Sequence, residues 1–269
     1  MIFAVDIGNT NIVIGIFEKG SSNLVCNFRV QSSTSRTTDE YAAIIMRLME
    51  SENVKPSDIS GVIVASVVPR LIFTFTKFAR KYLDKEALVI APGVKTGIPI
   101  KMENPKEVGA DRIVNAVAAK VKYGYPAIVV DFGTATTFDV ISRQGDYIGG
   151  VICPGIKLSS QILHSNTAKL PEVEIERVET IIGKNTIHSI QSGIYFGYLE
   201  MVDGIIRRIL AEEFEGEVIP VISTGGLGSV FADESKYIKR YEPNLTLEGL
   251  KIIYEKIFNG LISSRWRGI

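Results

Sequence analysis

Two aspartates in this chain each stand at the end of an apolar run and lead directly into a glycine-containing turn. The first turn reads Asp6-Ile-Gly-Asn-Thr10, and the second reads Asp131-Phe-Gly-Thr-Ala-Thr136. Glycine lets the backbone approach a ligand closely, and the backbone N–H groups around such a turn suit phosphate oxygens. A single turn of this kind also fits an ordinary hairpin. Two of them predict a phosphate site, with side-chain donors from Asn9, Thr10, Thr134, Thr136 and Thr137.

The two carboxylates are also candidate ligands for cations. Asp6 can hold Mg²⁺ through water, because Mg²⁺ keeps much of its hydration shell and takes few direct carboxylates. Asp131 offers another hard oxygen ligand. A third glycine motif, Thr224-Gly-Gly226, follows a predicted strand over Val218–Ser223 and would let a base or ribose pack against the backbone.

A third aspartate lies in the motif Glu107-Val-Gly-Ala-Asp-Arg112. It stands near the start of a predicted amphipathic helix over 107–122. Asp111 can accept the proton of a substrate hydroxyl, and Arg112 can neutralise a carboxylate or a transferring phosphoryl group. The alternative interpretation is an acidic first-turn residue that favours the helix dipole, with the arginine on the surface.

The elements around the two turns repeat. The segment from Asp6 to Gly20 can be laid over the segment from Asp131 to Gly145, because each has a strand, a turn, a second strand and a closing glycine fourteen residues after the aspartate. This repeat predicts two duplicated α/β domains with mixed sheets and a cleft between them. We place the boundary in the connecting helix, giving domains 1–115 and 116–269.

Composition argues against several other classes of protein. Thirty basic and thirty acidic residues balance, so no global electrostatic footprint for nucleic acid or a membrane surface exists. Cys26 and Cys153 are far apart, which disfavours a disulfide scaffold or a zinc site. We expect a cytoplasmic protein, since the chain starts without a basic leader and has no apolar run of about 18 residues. Neither a P-loop nor a dinucleotide-binding glycine motif is present.

The motifs together resemble those of type III pantothenate kinases, within the acetate kinase/Hsp70/hexokinase/actin group. The resemblance covers essentially the full chain and rests on motifs that occur in the family's order: Asp6 to Asn11, Asn104-Pro105, Gly109 to Arg112, Asp131 to Thr136, Gly149 to Gly155 and Thr224 to Gly226. It implies duplicated actin-like (ribonuclease H-like) domains. It also implies ATP-dependent phosphorylation of the primary hydroxyl of pantothenate to 4'-phosphopantothenate, the first step of coenzyme A biosynthesis.

The resemblance further implies a role for each site residue. Asp111 becomes the proton acceptor, Arg112 lies near the pantothenate carboxylate, and Asp131 binds a monovalent cation, K⁺ or NH₄⁺. ATP, with Mg²⁺, is expected to contact Asp6, Ile7, Gly8, Asn9, Thr10, Asn11, Ile12, Val13 and Thr134. Pantothenate is expected to contact Gly109, Ala110, Asp111, Arg112 and Thr186. A helix N-cap is an equally compatible interpretation of Thr186. The family also implies a homodimer whose substrate site borrows residues across the interface.

One position departs from the family pattern. Where members often carry a substrate-contacting tyrosine just before Asn-Pro, this chain reads Lys101-Met102-Glu103. Met102 can pack against the pantoyl methyl groups but cannot donate a hydrogen bond. Two alternatives stay open at this point: another small-molecule phosphotransferase or phosphatase of the same fold, and a regulatory protein accessory to transcription, for which the sequence offers no helix-turn-helix.

Overall fold

The computed structural model describes residues 1–265, with side chains as far as residue 258. These residues form two compact units, which we call the first unit (1–121 together with the described chain from Asn244) and the second unit (Lys122–Pro243). The division differs from the predicted domains 1–115 and 116–269, because the last helix packs on the first sheet. Residues 266–269 of the predicted second domain lie outside the described part of the chain.

The first unit contains a five-stranded mixed sheet. Strands β1 (Ile2–Ile7), β2 (Asn11–Phe17) and β3 (Leu24–Gln31) form an antiparallel meander. Strands β4 (Gly61–Ser66) and β5 (Ala87–Val89) continue the sheet in parallel, in the order β3-β2-β1-β4-β5. The inward side chains of β1 and β2 are fully buried, so the hairpin that carries the first turn is held by the core.

Three helices follow within this part of the chain. Helix α1 (Thr38–Ser51) starts at a capping box, in which Thr37 and Glu40 satisfy each other's backbone N–H groups. Helix α2 (Pro69–Tyr82) starts with Pro69 in its first turn, where a missing N–H costs no hydrogen bond. The predicted helix over 107–122 begins later than expected, as α3 (Ala110–Tyr123), after a 3-10 turn at Pro105–Glu107.

The second unit contains a sheet of the same design. Strands β6 (Ala127–Phe132), β7 (Ala135–Ile141) and β8 (Tyr147–Pro154) form the antiparallel meander. Strand β9 (Val221–Thr224), shorter than the predicted 218–223 strand at its start, and β10 (Arg240–Tyr241) run parallel to β6.

The remaining helices cover these sheets. They are α4 (Ile156–Ser165), α5 (Thr186–Glu213), α6 (Gly228–Ala232) and α7 (Leu245–Arg265). Helix α7 returns to the first unit, where it packs against β1, β2 and β4. The fit is close, since a Cβ on Gly15 would lie 2.8 Å from Leu247 Cδ1 and one on Gly249 would lie 2.2 Å from the Val114 carbonyl oxygen. Within residues 1–265, no helix combines the length and the apolar character that crossing a bilayer requires.

The predicted duplication is confirmed in detail. Counted from the meander, the second sheet has the order β8-β7-β6-β9-β10, which repeats β3-β2-β1-β4-β5. Residue by residue, burial along β1 and β2 matches burial along β6 and β7. Even the register irregularity recurs near the end of the hairpin, between Ile16 and Phe17 and again between Val140 and Ile141. Each half is therefore the same mixed α/β unit.

Candidate active site

The first turn is tight and offers its polar side chains to solvent. The Gly8 N–H donates to the Asn11 carbonyl oxygen at 3.0 Å. A Cβ on Gly8 would approach that oxygen to 3.1 Å, which explains the need for a small residue. Asn9, Thr10 and Asn11 are exposed. The polar side chains of this turn are therefore accessible to a ligand, and the predicted phosphate contact stays a prediction.

The apolar residues of the same motif face the other way. Ile7 and Ile12 are fully buried in the core of the first unit, while Val13 is half-buried. If ATP binds here, Ile7 and Ile12 can contribute only backbone atoms, because their side chains anchor the hairpin.

Two residues, Asn104 and Gly109, shape the segment that carries Asp111. Asn104 caps the 3-10 turn, accepting from the Lys106 N–H at 3.3 Å, and its amide donates to Glu107 Oε1 at 2.6 Å. Gly109 then leaves room for the carboxylate, since a Cβ there would lie 2.5 Å from Asp111 Oδ1. The same oxygen accepts from the Arg112 N–H at 2.9 Å. Asp111 and Arg112 are half-buried in the first turn of α3.

A large, mostly apolar pocket lies in the first unit beside this segment. Its volume is about 1120 Å³, ample for a small organic ligand. The wall includes Gly109, Ala110 and Ile113, so the turn of α3 that carries Asp111 and Arg112 borders the pocket. Met102 is half-buried and is not among the lining residues.

Another part of the wall was not foreseen as part of a site. It is formed by the segment 89–100, together with Ser66, Val67 and Ile72. The signal in the sequence was a run punctuated by Pro92, Gly93 and Gly97, which marks irregular backbone but not its function.

Backbone hydrogen bonds hold the second turn in place. Its Gly133 N–H donates to the Ala135 carbonyl oxygen at 3.1 Å, and the Thr134 carbonyl oxygen accepts from the Gly155 N–H at 3.0 Å. A Cβ on Gly155 would lie 2.3 Å from that same carbonyl oxygen. Thr134 is exposed, in keeping with its predicted contact to ATP.

The predicted phosphate donor Thr136 is not available for that role. It is buried, and its hydroxyl bonds to the hydroxyl of Tyr198. Burial raises the pKa of Tyr198. Successive residues of a strand point to opposite faces, so Thr136 faces the core whereas Thr137 does not.

Asp131 is flanked by hydroxyl side chains in a single row across three strands. It lies opposite Thr137 in β7 and opposite Thr224 in β9. Gly225 adopts a φ of +86°, and a Cβ on it would lie 2.6 Å from Asp131 Oδ1. The Thr-Gly-Gly motif, interpreted from sequence as a platform for a base or ribose, thus stands directly against the Asp131 carboxylate.

The equivalent row in the first unit lacks these hydroxyls. Asp6 lies opposite Val13 in β2 and Ala65 in β4. A carboxylate between apolar neighbours suits a cation held through water, whereas a carboxylate between two threonines can offer several oxygens directly. Among the described residues, no group of three or more His, Cys, Asp or Glu side chains could hold a metal ion.

Thr186 lies in the second unit at the start of α5. The N-cap of this helix is Asn185, whose side chain accepts from the His188 N–H at 2.8 Å. The capping interpretation of Thr186 is therefore wrong, and its side chain is exposed.

Exposed apolar side chains precede and follow Thr186 along the chain, at Ile182 and Ile187. A groove of about 450 Å³ runs between α4 and α5, with Gly193 and Gly197 along its floor. The exposed apolar side chains on α4 and around the start of α5, which we call the α4/α5 surface, are Leu158, Ile162, Leu163, Ile181, Ile182 and Ile187.

Comparison with known proteins agrees with this architecture. Two solved structures match over most of the chain. The first is a conserved Campylobacter jejuni protein of the Baf transcriptional activator family, with a TM-score of 0.60 and 19% identity; the match covers 96% of this chain and 99% of the other. The second is the ethanolamine utilization protein EutJ from Carboxydothermus hydrogenoformans, with a TM-score of 0.54 and 17% identity; the match covers 93% of this chain and 89% of the other. At these identities the likeness concerns the fold alone, and it agrees with the predicted duplicated α/β architecture.

Sequence relatives are much closer. A type III pantothenate kinase from Moorella thermoacetica is 51% identical over 256 residues, covering 95% of this chain and 99% of the relative. A type III pantothenate kinase from Myxococcus xanthus is 49% identical over 254 residues, and the match covers 94% of this chain and 98% of the relative. The family model for type III pantothenate kinase matches residues 2–208, which include both turns and the Gly109–Arg112 motif. The chain therefore belongs to the type III pantothenate kinase family.

Proposed function

We propose that this protein transfers the γ-phosphoryl group of ATP to the primary hydroxyl of pantothenate, giving 4'-phosphopantothenate and ADP in the first step of coenzyme A biosynthesis. The observation that carries the proposal is the position of the Gly109–Arg112 motif at the start of α3, where Gly109 and Ala110 line a pocket of about 1120 Å³ and Asp111 and Arg112 follow directly. The family assignment supports the same substrate. We place the reaction in the cytoplasm, because ATP is available there.

The chemistry needs little covalent work from the protein. The hydroxyl oxygen of pantothenate attacks the γ-phosphorus, its proton passes to Asp111, and ADP leaves with the electrons of the broken P–O bond. Arg112 binds the pantothenate carboxylate and orients the substrate. The largely apolar pocket excludes water from the acceptor hydroxyl, which favours transfer to pantothenate over hydrolysis.

The two turns would hold the phosphates of ATP. In the first, Gly8, Asn9, Thr10 and Asn11 supply backbone and side-chain donors, with Ile7 and Ile12 contributing through the backbone. In the second, Thr134 adds an exposed hydroxyl.

The residues present fit two different cations. Asp6, between Val13 and Ala65, suits Mg²⁺ bound through water, which would neutralise phosphate charge. Asp131, between Thr137 and Thr224, suits a monovalent cation such as K⁺ or NH₄⁺, because such ions are bound by several oxygen ligands that replace the hydration shell.

We also propose that two copies pair through the α4/α5 surface. Ile182 is 77% exposed and Ile187 52% exposed, on either side of Thr186. Large exposed apolar side chains in one region mark an interaction surface, and a second copy would bury them and carry Thr186 to the edge of its partner's substrate site.

The test of the proposed reaction is ADP release by the purified protein with ATP, Mg²⁺ and pantothenate. We expect turnover that requires pantothenate and falls by roughly 100-fold or more in Asp111→Asn, since the variant cannot accept the hydroxyl proton. Asp39→Asn is the matched control, because Asp39 is likewise an acidic residue in the first turn of a helix.

Each alternative has its own outcome in this assay. Turnover with other hydroxyl acceptors but none with pantothenate would overturn the substrate. Release of phosphate from ATP or another phosphoester without an acceptor would point to a phosphatase. Turnover that is equal in wild type and Asp111→Asn would overturn the role of Asp111, and a regulatory protein would show no turnover at all.

A further inference from the structure

A fully buried carboxylate lies in the middle of β7, two residues beyond Thr137. Asp139 has 0% of its surface exposed. Its Oδ1 accepts from the Tyr147 hydroxyl at 2.9 Å, and its Oδ2 accepts from the Thr137 hydroxyl at 3.1 Å. An isolated buried carboxylate is expensive, so these hydroxyls contribute to its stabilisation. The reaction described above makes no use of it.

The contact fixes the orientation of the Thr137 hydroxyl. An ionised carboxylate can only accept hydrogen bonds, and a threonine hydroxyl has one hydrogen and two lone pairs. With its hydrogen directed at Asp139, the oxygen of Thr137 can present a lone pair elsewhere. Thr137 stands directly opposite Asp131, and such cross-strand partners have Cβ atoms about 5 Å apart on one face of the sheet.

The duplicated first half lacks both members of this pair. From the register, Val13 corresponds to Thr137, and Gly15 corresponds to Asp139. The space beside Gly15 is taken by Leu247. The carboxylate and hydroxyl therefore occur only in the half whose aspartate stands between threonines.

We propose that Asp139 is a positioning residue that holds the Thr137 hydroxyl as an oxygen ligand for the monovalent cation at Asp131. This inference rests on the cation site proposed above. A hydroxyl hydrogen turned toward a cation would repel it, whereas a lone pair attracts it. By committing the hydrogen, Asp139 keeps the oxygen available to K⁺.

The experiment measures K⁺ binding in two ways on the full chain. The first follows the unfolding temperature during a titration with KCl, with choline chloride keeping the ionic strength constant and no nucleotide present. The second measures the K⁺ concentration that gives half-maximal ADP release. The variants are Thr137→Val, Thr137→Ser and Asp139→Asn. The control is Asp203→Asn, a 5% exposed carboxylate of the same unit that accepts from Ser235 Oγ at 2.5 Å and the Lys236 N–H at 3.0 Å.

We expect Thr137→Val and Asp139→Asn to raise the half-saturating K⁺ concentration by about tenfold or more in both measurements, the range found for residues that orient a metal ligand. Thr137→Ser should restore the wild-type value. Asp203→Asn should lower the unfolding temperature without changing the K⁺ dependence. If Asp139→Asn does not fold, Thr137→Val and Thr137→Ser still test the Thr137 hydroxyl as a cation ligand, and the inference fails if that hydroxyl is not one.

Two results would overturn the inference, and they are distinguishable. If the wild type responds to K⁺ but either Thr137→Val or Asp139→Asn responds equally, the positioning role fails while the cation site stands. If the wild type shows no K⁺ response in either measurement, the cation site itself fails and takes the inference with it.

Discussion

Two carboxylates of the proposed active site each lie against a glycine, where any side chain would collide with them. Gly109 adjoins the Asp111 carboxylate, and Gly225 adjoins that of Asp131, so a methyl group at either position would lie within 2.6 Å of a carboxylate oxygen. Gly225 is the more demanding of the two, because it also adopts a φ of +86° that side chains rarely tolerate. Residues without functional groups thus set the positions of those that have them.

Substitution of Gly225 should separate conformational strain from displacement of the carboxylate. Gly225→Ala places a methyl group against Asp131 Oδ1 and the Phe132 backbone, whereas Gly216→Ala, at a φ of +77°, meets nothing within 4 Å. Both variants should lose about 1–2 kcal/mol of unfolding free energy from the left-handed backbone, and Gly225→Ala should lose more because the Phe132 backbone must also shift. Only Gly225→Ala should in addition weaken the response of ADP release to K⁺. Equal K⁺ responses in the two variants would argue that Asp131 does not bind the cation.

At the scale of elements, the two ends of the second unit are tied together where the chain enters and leaves it. Lys122 Nζ donates to Glu242 Oε2 at 2.9 Å, and the Tyr123 hydroxyl donates to Glu242 Oε1. Burial and Glu242 together raise the pKa of Tyr123 to about 12. Burial by itself would raise the pKa of Glu242, but hydrogen bonds from Tyr123 and Lys122 outweigh it and lower that pKa.

Removal of this carboxylate should reduce stability in a pH-dependent way. Because the folded-state pKa of Glu242 lies below its ordinary value of 4.5, its contribution is present above that pH and is lost as the pH falls through the folded-state pKa. Glu242→Gln should therefore lower the free energy of unfolding by about 1–3 kcal/mol near neutral pH, with a difference from wild type that shrinks in acid.

Denaturant titrations at several pH values measure this difference. Glu217→Gln is the control, because the Glu217 carboxylate is 54% exposed and pairs with Arg143 at 3.0 Å, an arrangement that contributes only about 0–1 kcal/mol. A Glu242→Gln loss that stays constant from neutral pH into acid would contradict the shifted pKa.

The sequence predicted what is encoded locally and missed what depends on distant pairing. The hairpins around Asp6 and Asp131 were predicted, since strand, turn and glycine follow one another along the chain. Strand alternation also places Thr136 and Thr137 on opposite faces of the sheet, but it does not tell which of the two faces the core. The position of Thr224 beside Asp131 depends on the register of a parallel pair formed across more than ninety residues. The packing of α7 against the first sheet is likewise a long-range contact, which no local sequence pattern predicts.

At the scale of the whole molecule, the exposed apolar residues lie unevenly. Several belong to the α4/α5 surface, whereas Val218, 91% exposed, lies beyond the opposite end of α5. Since α5 has 28 residues, its two ends are about 42 Å apart. An interface at one end of this helix should therefore be insensitive to substitutions at the other.

Assembly through the α4/α5 surface predicts a change of mass on a single substitution. Wild-type protein should have twice the 29.5 kDa mass of one chain, and Ile182→Glu should have the mass of one chain, because a charge buried at the interface opposes association. Val218→Glu should remain paired. Light scattering after size-exclusion chromatography measures all three. A single-chain mass for the wild type, or an Ile182→Glu protein that keeps the double mass, would refute pairing through this surface.

The return of α7 has a consequence for how the protein is made. Synthesis on the ribosome runs from the N-terminus, so strands β1 to β5 emerge well before Leu247, which fills the space beside Gly15. The second unit lies wholly within Lys122–Pro243 and is complete before α7 exists. One face of the first sheet therefore lacks its native cover until the whole second unit has been synthesised.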